Sequence, residues 1–164
     1  MTTNNRIVIV DSTISDGYVP IYNSSQNKFI SSSTGATTLK QLHFNSYTPI
    51  SINNIVYTAV GIIKFDKSSL DPVNTGTRTI KLKVIAEMTA GDGYVQLYNV
   101  TAASVVTLTP SDPIHITSLT PTELLSNDIS ANLSLGPAIY QVQAKATSGN
   151  TITVSLSELL VEWS

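Results

Sequence analysis

The chain has no cysteine in its 164 residues, so disulfides, thiolate ligands and cysteine nucleophiles are excluded. It has two histidines, His43 and His115, and they share no His-x-His or His-x-x-x-His spacing, so no zinc site is expected. Charged residues make up 12%, against about 25% in a typical domain. The nine lysines and arginines are scattered and form no basic patch, which excludes a nucleic-acid footprint. No run of about 18 apolar residues exists, so no membrane-spanning helix is expected. The start, Met1-Thr2-Thr3-Asn4-Asn5-Arg6, lacks a basic stretch ahead of a long apolar core and does not read as a secretory signal. Gly-x-Ser-x-Gly is absent, and serine is too common for a Ser-His-Asp pairing to carry meaning. The eleven acids are spread through turns, with no paired carboxylates to suggest glycoside hydrolysis. No catalytic residue, cofactor or metal ligand is assigned, and the chain is not expected to be an enzyme.

What is present is a hydrophobic content of 41%, set among Ser, Thr and Asn that together make up about a third of the chain. A disordered chain is poor in apolar residues. Weakly charged but polar surfaces suit β proteins, whose strands alternate Thr or Ser outward with Val, Ile or Leu inward. An eight-residue near-repeat organises the chain. Asp16-Gly17-Tyr18-Val19-Pro20-Ile21-Tyr22-Asn23 is echoed by Asp92-Gly93-Tyr94-Val95-Gln96-Leu97-Tyr98-Asn99, each an Asp-Gly turn signal feeding a strand. The first copy lies in a Ser-rich leader and the second in a dense run of strands.

That contrast predicts an extended N-terminal arm over 1–38 and a β-domain over 39–164. In the arm, Arg6–Val10, Tyr18–Tyr22 and Lys28–Ile30 read as short strands, and Ser31–Gly35 as a linker. Pro20 confines the second strand to an edge or to an isolated extended segment. Each segment has too little apolar surface to fold alone, so the arm is expected to pair with the domain, a sister chain or another protein. In the domain, strands are expected over Leu39–Phe44, Ile55–Phe65, Thr77–Met88, Tyr94–Val100, Val105–Thr109, Ile114–Leu119, Ala138–Ala146 and Thr151–Trp163. Gly61 suggests a bulge or close approach. Asp71-Pro72 with Asn74-Thr75-Gly76 reads as a turn. Ile80, Leu82, Val84 and Ala86 should share one face, with Thr79, Lys81, Lys83 and Ile85 on the other. Pro121–Leu125 fits one helical turn. Ile129, Ala131, Leu133 and Leu135 alternate, and Ser148-Gly149-Asn150 is a hairpin signal. About eight strands with turns every 8–12 residues predict an all-β, jelly-roll-like antiparallel β-sandwich.

His43 and His115 each sit between apolar residues and should point outward as solvated strand residues. Asp66, Asp71 and Asp92 could offer oxygens to calcium, but turn formation accounts for them without an Asp-x-Asp-x-Asp loop. Tyr18 with Tyr22, and Tyr94 with Tyr98, pair on strand faces. Such pairs stack on sugars or anchor a partner, which makes Tyr94 and Tyr98 a candidate recognition surface. Trp163 is expected to pin the last strand into the core or a subunit contact.

The stretch Asp16–Phe29, in its order of Asp-Gly, strand, Asn, polar turn and Lys-Phe, resembles N-terminal segments of tailed-bacteriophage fibre and head-decoration proteins. The end, Gly136–Ala144 through Ser157–Trp163, is similar to the closing hairpin of phage jelly-roll domains. The resemblance covers about a quarter of the chain. It implies a virion structural protein, usually a homotrimer, with no cofactor and no catalysis, assembled in the host cytoplasm. Lacking shaft repeats, the chain fits a compact capsid decoration (cement) protein at the capsid surface. On that reading the partners are the major capsid protein and the chain itself. The arm would supply the interface through Arg6, Ile7, Val8, Ile9, Val10, Tyr18, Ile21, Tyr22, Phe29 and Ile30. The alternative is a tail-fibre or receptor-binding module for host-surface carbohydrate.

Overall fold

A computed structural model describes residues 19–23, 28–32, 38–44, 48–70 and 77–163. Arg6–Val10, Tyr18, Asp71 and the turn at 71–76 lie outside the described residues. The chain divides into two compact units, Met1–Thr38 with Ser164, and Leu39–Trp163.

In the first unit, β1 (Val19–Asn23) pairs antiparallel with β2 (Lys28–Ser32), in a register that sets Ile21 opposite Ile30 and Tyr22 opposite Phe29. These strands find their partner within the arm, and Ser31 and Ser32, read as linker, complete β2.

The second unit is an all-β antiparallel sandwich. Its first sheet runs β10 (Thr122–Leu125), β6 (Arg78–Met88), β12 (Ile152–Trp163), β3 (Thr38–His43), with β4 (Ile50–Ile52) also on β12. Its second sheet runs β5 (Thr58–Asp66), β11 (Pro137–Ala146), β7 (Gly93–Asn99), β8 (Ser104–Val106), with β9 (Ile114–Ile116) also on β7. A strand has two edges, so β3 and β4 share one edge of β12, as β8 and β9 share one edge of β7. Counting each shared pair as one position leaves eight in chain order, arranged 1-8-3-6 and 2-7-4-5. That interleaving of two Greek keys is the jelly roll.

The alternation read for β6 is met: Ile80, Leu82, Val84, Ala86 and Met88 all face the core, with Thr79, Lys81, Lys83 and Ile85 on the half-buried side. Opposite them the second sheet contributes Val95, Leu97, Tyr140, Val142 and Ala144. Each large side chain so buried stabilises the fold by about 1.5–3 kcal/mol. Trp163 is buried in the same core. Both readings of Gly61 are met. The β5–β11 register skips Val60, placing a bulge beside Gly61, and a Cβ at Gly61 would lie 2.7 Å from the Phe44 backbone.

Three expectations are corrected. Pro121–Leu125 is no helical turn: its last four residues are β10, paired with Lys83–Ala86. The exposed edge of β6 needs partners for its peptide groups, and that demand outweighs a local helical preference. The alternating run Ile129–Leu135 is no strand. Ser130–Asn132 form a 3-10 turn, with Ile129 and Leu133 buried and Leu135 exposed. Asp128 starts it, because its Oδ1 accepts from the N–H of Ser130 and also from the N–H of Ile80 on β6. Ser126 does the same one step earlier: its Oγ accepts from the N–H of Leu82 at 2.9 Å, while its own N–H donates to the Leu82 carbonyl. Side chains thus continue the ladder where the strand stops. Finally, Ser148-Gly149-Asn150 does not close a hairpin. Gly149 adopts φ +81°, but β11 and β12 belong to different sheets, so the turn steps across the sandwich. Two smaller differences concern residues 50–56: β4 was not expected, and Ile55 and Val56 are exposed and precede β5.

Candidate functional site

The outward faces of the two sheets differ in chemistry. On the first sheet, the carboxyl-bearing side chain of Glu158 on β12 is only 1% exposed. Its register partner Lys83 reaches Oε1 at 3.4 Å and also Glu123 of β10 at 3.1 Å. His43 Nδ1 lies 2.9 Å from Glu158 Oε2, and Gln41 Nε2 donates to Oε1 at 3.4 Å. A row of ionisable and polar side chains therefore crosses from β10 to β3. The hydrogen bond to Glu123 raises the Lys83 pKa; burial opposes this and Glu158 adds to it. Lys81 pairs with Glu162 at 3.0 Å on the same face.

On the second sheet the rows are set by register. Tyr94 of β7 stands between Lys145 of β11 and His115 of β9. The His115 and Tyr94 rings stack at 5.0 Å and 10°. Lys145 Nζ lies 5.3 Å from the Tyr94 centroid and 4.6 Å from that of Tyr57, a double cation–π contact. His115 Nε2 is 2.6 Å from Asp92 Oδ1. Burial raises the Tyr57 pKa, and Asp112 and Tyr94 add to it. The next row holds Gln96 opposite Gln143, joined by a bond from Gln96 Nε2 to Gln143 Oε1 at 2.7 Å. Gln143 Nε2 donates onward to Gln141 Oε1 at 3.0 Å. A third row runs Ile62, Gln141, Tyr98, Val105 across four strands. Ile62 and Val105 are exposed.

Tyr94 and Tyr98 thus both lie on the outward face of β7, with Gln96 between them. Tyr94 is already flanked on both sides, and Tyr98 has no ring or cation partner among the described residues. Both histidines point outward as expected, but each meets a carboxylate from a distant strand or turn. Asp66 accepts from the N–H and the hydroxyl of Ser68, and Asp92 meets His115. Among the described residues no group of three His, Asp or Glu side chains could hold a metal. Of the arm residues, Ile21, Tyr22, Phe29 and Ile30 lie in the β1–β2 hairpin. The amide row was missed. Its one sequence signal is Gln141-Val142-Gln143, an alternation that puts both amides on one face.

No family model matches this sequence, and no curated protein does. Among solved structures, similarity is found to a chain of the infectious bursal disease virus Gt strain, with a TM-score of 0.47 and 8% identity over 89% of this chain and 38% of that one. A chain of T=1 particles derived from infectious bursal virus matches with a TM-score of 0.47 and 8% identity over 89% of this chain and 36% of that one. This chain thus spans less than two fifths of the length of those it matches. A likeness at that level assigns no function, and the jelly-roll order rests on the strand pairings alone.

Proposed function

We propose that the chain is a non-enzymatic structural protein of a virion: a capsid decoration (cement) protein of a tailed bacteriophage that binds the major capsid protein through its N-terminal arm and stands on the shell as a homotrimer. The observation that carries this reading is the division of the chain into two units. The sandwich holds its own core within Leu39–Trp163, while β1 and β2 form a separate two-stranded hairpin. Such a hairpin is marginal alone and gains from a third strand or a packed surface. Strand addition to a capsid edge would give affinity through main-chain hydrogen bonds. Three arms on one trimer would multiply it through effective concentration.

The test is sedimentation with phage heads lacking the protein. The full chain is expected to co-sediment, and a 1–35 deletion is expected to stay folded and remain in the supernatant. Binding by the deletion removes the arm from the reading, and binding by neither removes the capsid. Ultracentrifugation should give about three times the 17.6 kDa chain mass.

A second reading, a receptor-binding module for host-surface carbohydrate, is favoured by two rows of the second sheet that carry no charged side chain, Gln96 with Gln143 and Ile62 through Gln141 and Tyr98 to Val105. Binding of the labelled protein to host cells tests it.

A further inference from the structure

We infer that the outward face of the second sheet, centred on Gln96, Gln143, Gln141 and Tyr98, is a binding platform for a neutral pyranose oligosaccharide. This deepens the receptor reading and is independent of capsid binding. The amides carry the argument. A glutamine offers two N–H donors and an oxygen with two acceptor sites. The ladder uses one N–H of Gln96 and one of Gln143. It leaves the Gln96 oxygen, both Gln141 N–H groups and the second N–H of Gln96 and of Gln143 without a protein partner among the described residues. The open groups along this line are four N–H donors, the whole Gln96 oxygen and the second acceptor site of the Gln143 and Gln141 oxygens, and each bond polarises the next. Vicinal sugar hydroxyls, which both donate and accept, can meet such a mixed line. Beside the line, the half-buried Tyr98 ring and the exposed Ile62 side chain offer apolar surface for sugar C–H faces.

Other occupants fit less well. The two rows that hold these residues, completed by Ala59 and Val105, carry no charged side chain. The cations of this face, Lys145 and Lys64, stand in the flanking rows, and Lys145 is engaged by Tyr57 and Tyr94, so a neutral ligand suits the centre better than an anionic one. A peptide strand pairs at a sheet edge, but β11 and β7 are paired on both sides. A second copy needs more room. Three strand spacings of about 4.8 Å by about six residues of 3.4 Å give a face on the order of 300 Å², against about 800 Å² per partner in a stable protein interface.

The test is NMR titration of the full chain with maltohexaose and with chitohexaose, each to about 10 mM, a range suited to a shallow and weak site. The side-chain amide signals of Gln96, Gln141 and Gln143 are expected to shift and saturate with at least one probe. Gln143→Ala should weaken binding about fivefold and Tyr98→Ala about tenfold, with Gln96→Ala standing in if Gln143→Ala fails to fold. No shift with either probe, shifts confined to the first sheet, or unchanged affinity in folded variants would each overturn the platform. Cell binding is read separately: a protein blank for both probes that still binds cells loses this site and keeps the receptor reading.

Discussion

The two sheets of one sandwich treat their outward faces in opposite ways. The first sets ionisable side chains against one another, from Glu123 through Lys83 and Glu158 to His43. The second sets amides and aromatics beside Lys145, His115 and Asp92, and among the described residues its amides leave much of their hydrogen-bonding capacity open. A buried carboxylate such as Glu158 is tolerable only when paired, because desolvation of a lone charge costs several kcal/mol. Neutral amides carry no such demand and can face water, or a ligand, without loss. The first face is therefore bound up in stability, whereas the amides of the second keep hydrogen-bonding capacity to spare among the described residues.

Breaking the charge row should produce the largest effect. Lys83→Met leaves Glu158 with His43 and Gln41 alone and should destabilise the protein by about 3 kcal/mol, read as a lower urea midpoint at unchanged slope. Gly61→Ala probes the point where β5 passes against Phe44. The added Cβ has no room, and a loss of about 2 kcal/mol is expected in the same assay.

Asp128→Ala strips the acceptor from the Ile80 N–H at the edge of β6 and should cost about 1–2 kcal/mol. This group also has a pH signature. Burial alone would raise its pKa, but hydrogen bonds from Ile80 and Ser130, with Lys67 nearby, hold it below the ordinary 3.8. A depressed carboxyl stabilises fully above its unfolded pKa and loses that contribution as pH falls through the folded value. The wild type should therefore lose more stability below about pH 4 than Asp128→Ala does, which acid titration of the melting temperature checks.

The smallest effects belong to the second face. Tyr94→Ala should cost about 1 kcal/mol by freeing Lys145 and His115, and Gln96→Ala should fall within about 0.5 kcal/mol of wild type. Raising salt to about 1 M, where screening acts within about 3 Å, should shrink the penalty of breaking Lys81–Glu162 and leave the Gln96→Ala result unchanged.

How much of this is legible from sequence depends on the range of the interaction. The alternation of Arg78–Met88 and of Pro137–Ala146 is a local signal, and both strands fall within a residue or so of where it puts them. The turn at Gly91-Asp92-Gly93 is local too, with Gly91 at φ +64°. Thr122–Leu125 failed because its strand state comes from β6 rather than from its own residues. Ile129–Leu135 failed because Asp128 captured two N–H groups before the alternation could act.

The sequence by itself determined the β class, the inward faces and the sites of the turns, since side-chain period and turn chemistry are set by residues close in the chain. Only the tertiary structure decided which strands are neighbours, that Glu158 is buried beside Lys83, and that Gln96 meets Gln143 across 47 positions. Those outcomes follow from register between distant strands, which packing of the whole core selects and no local pattern encodes.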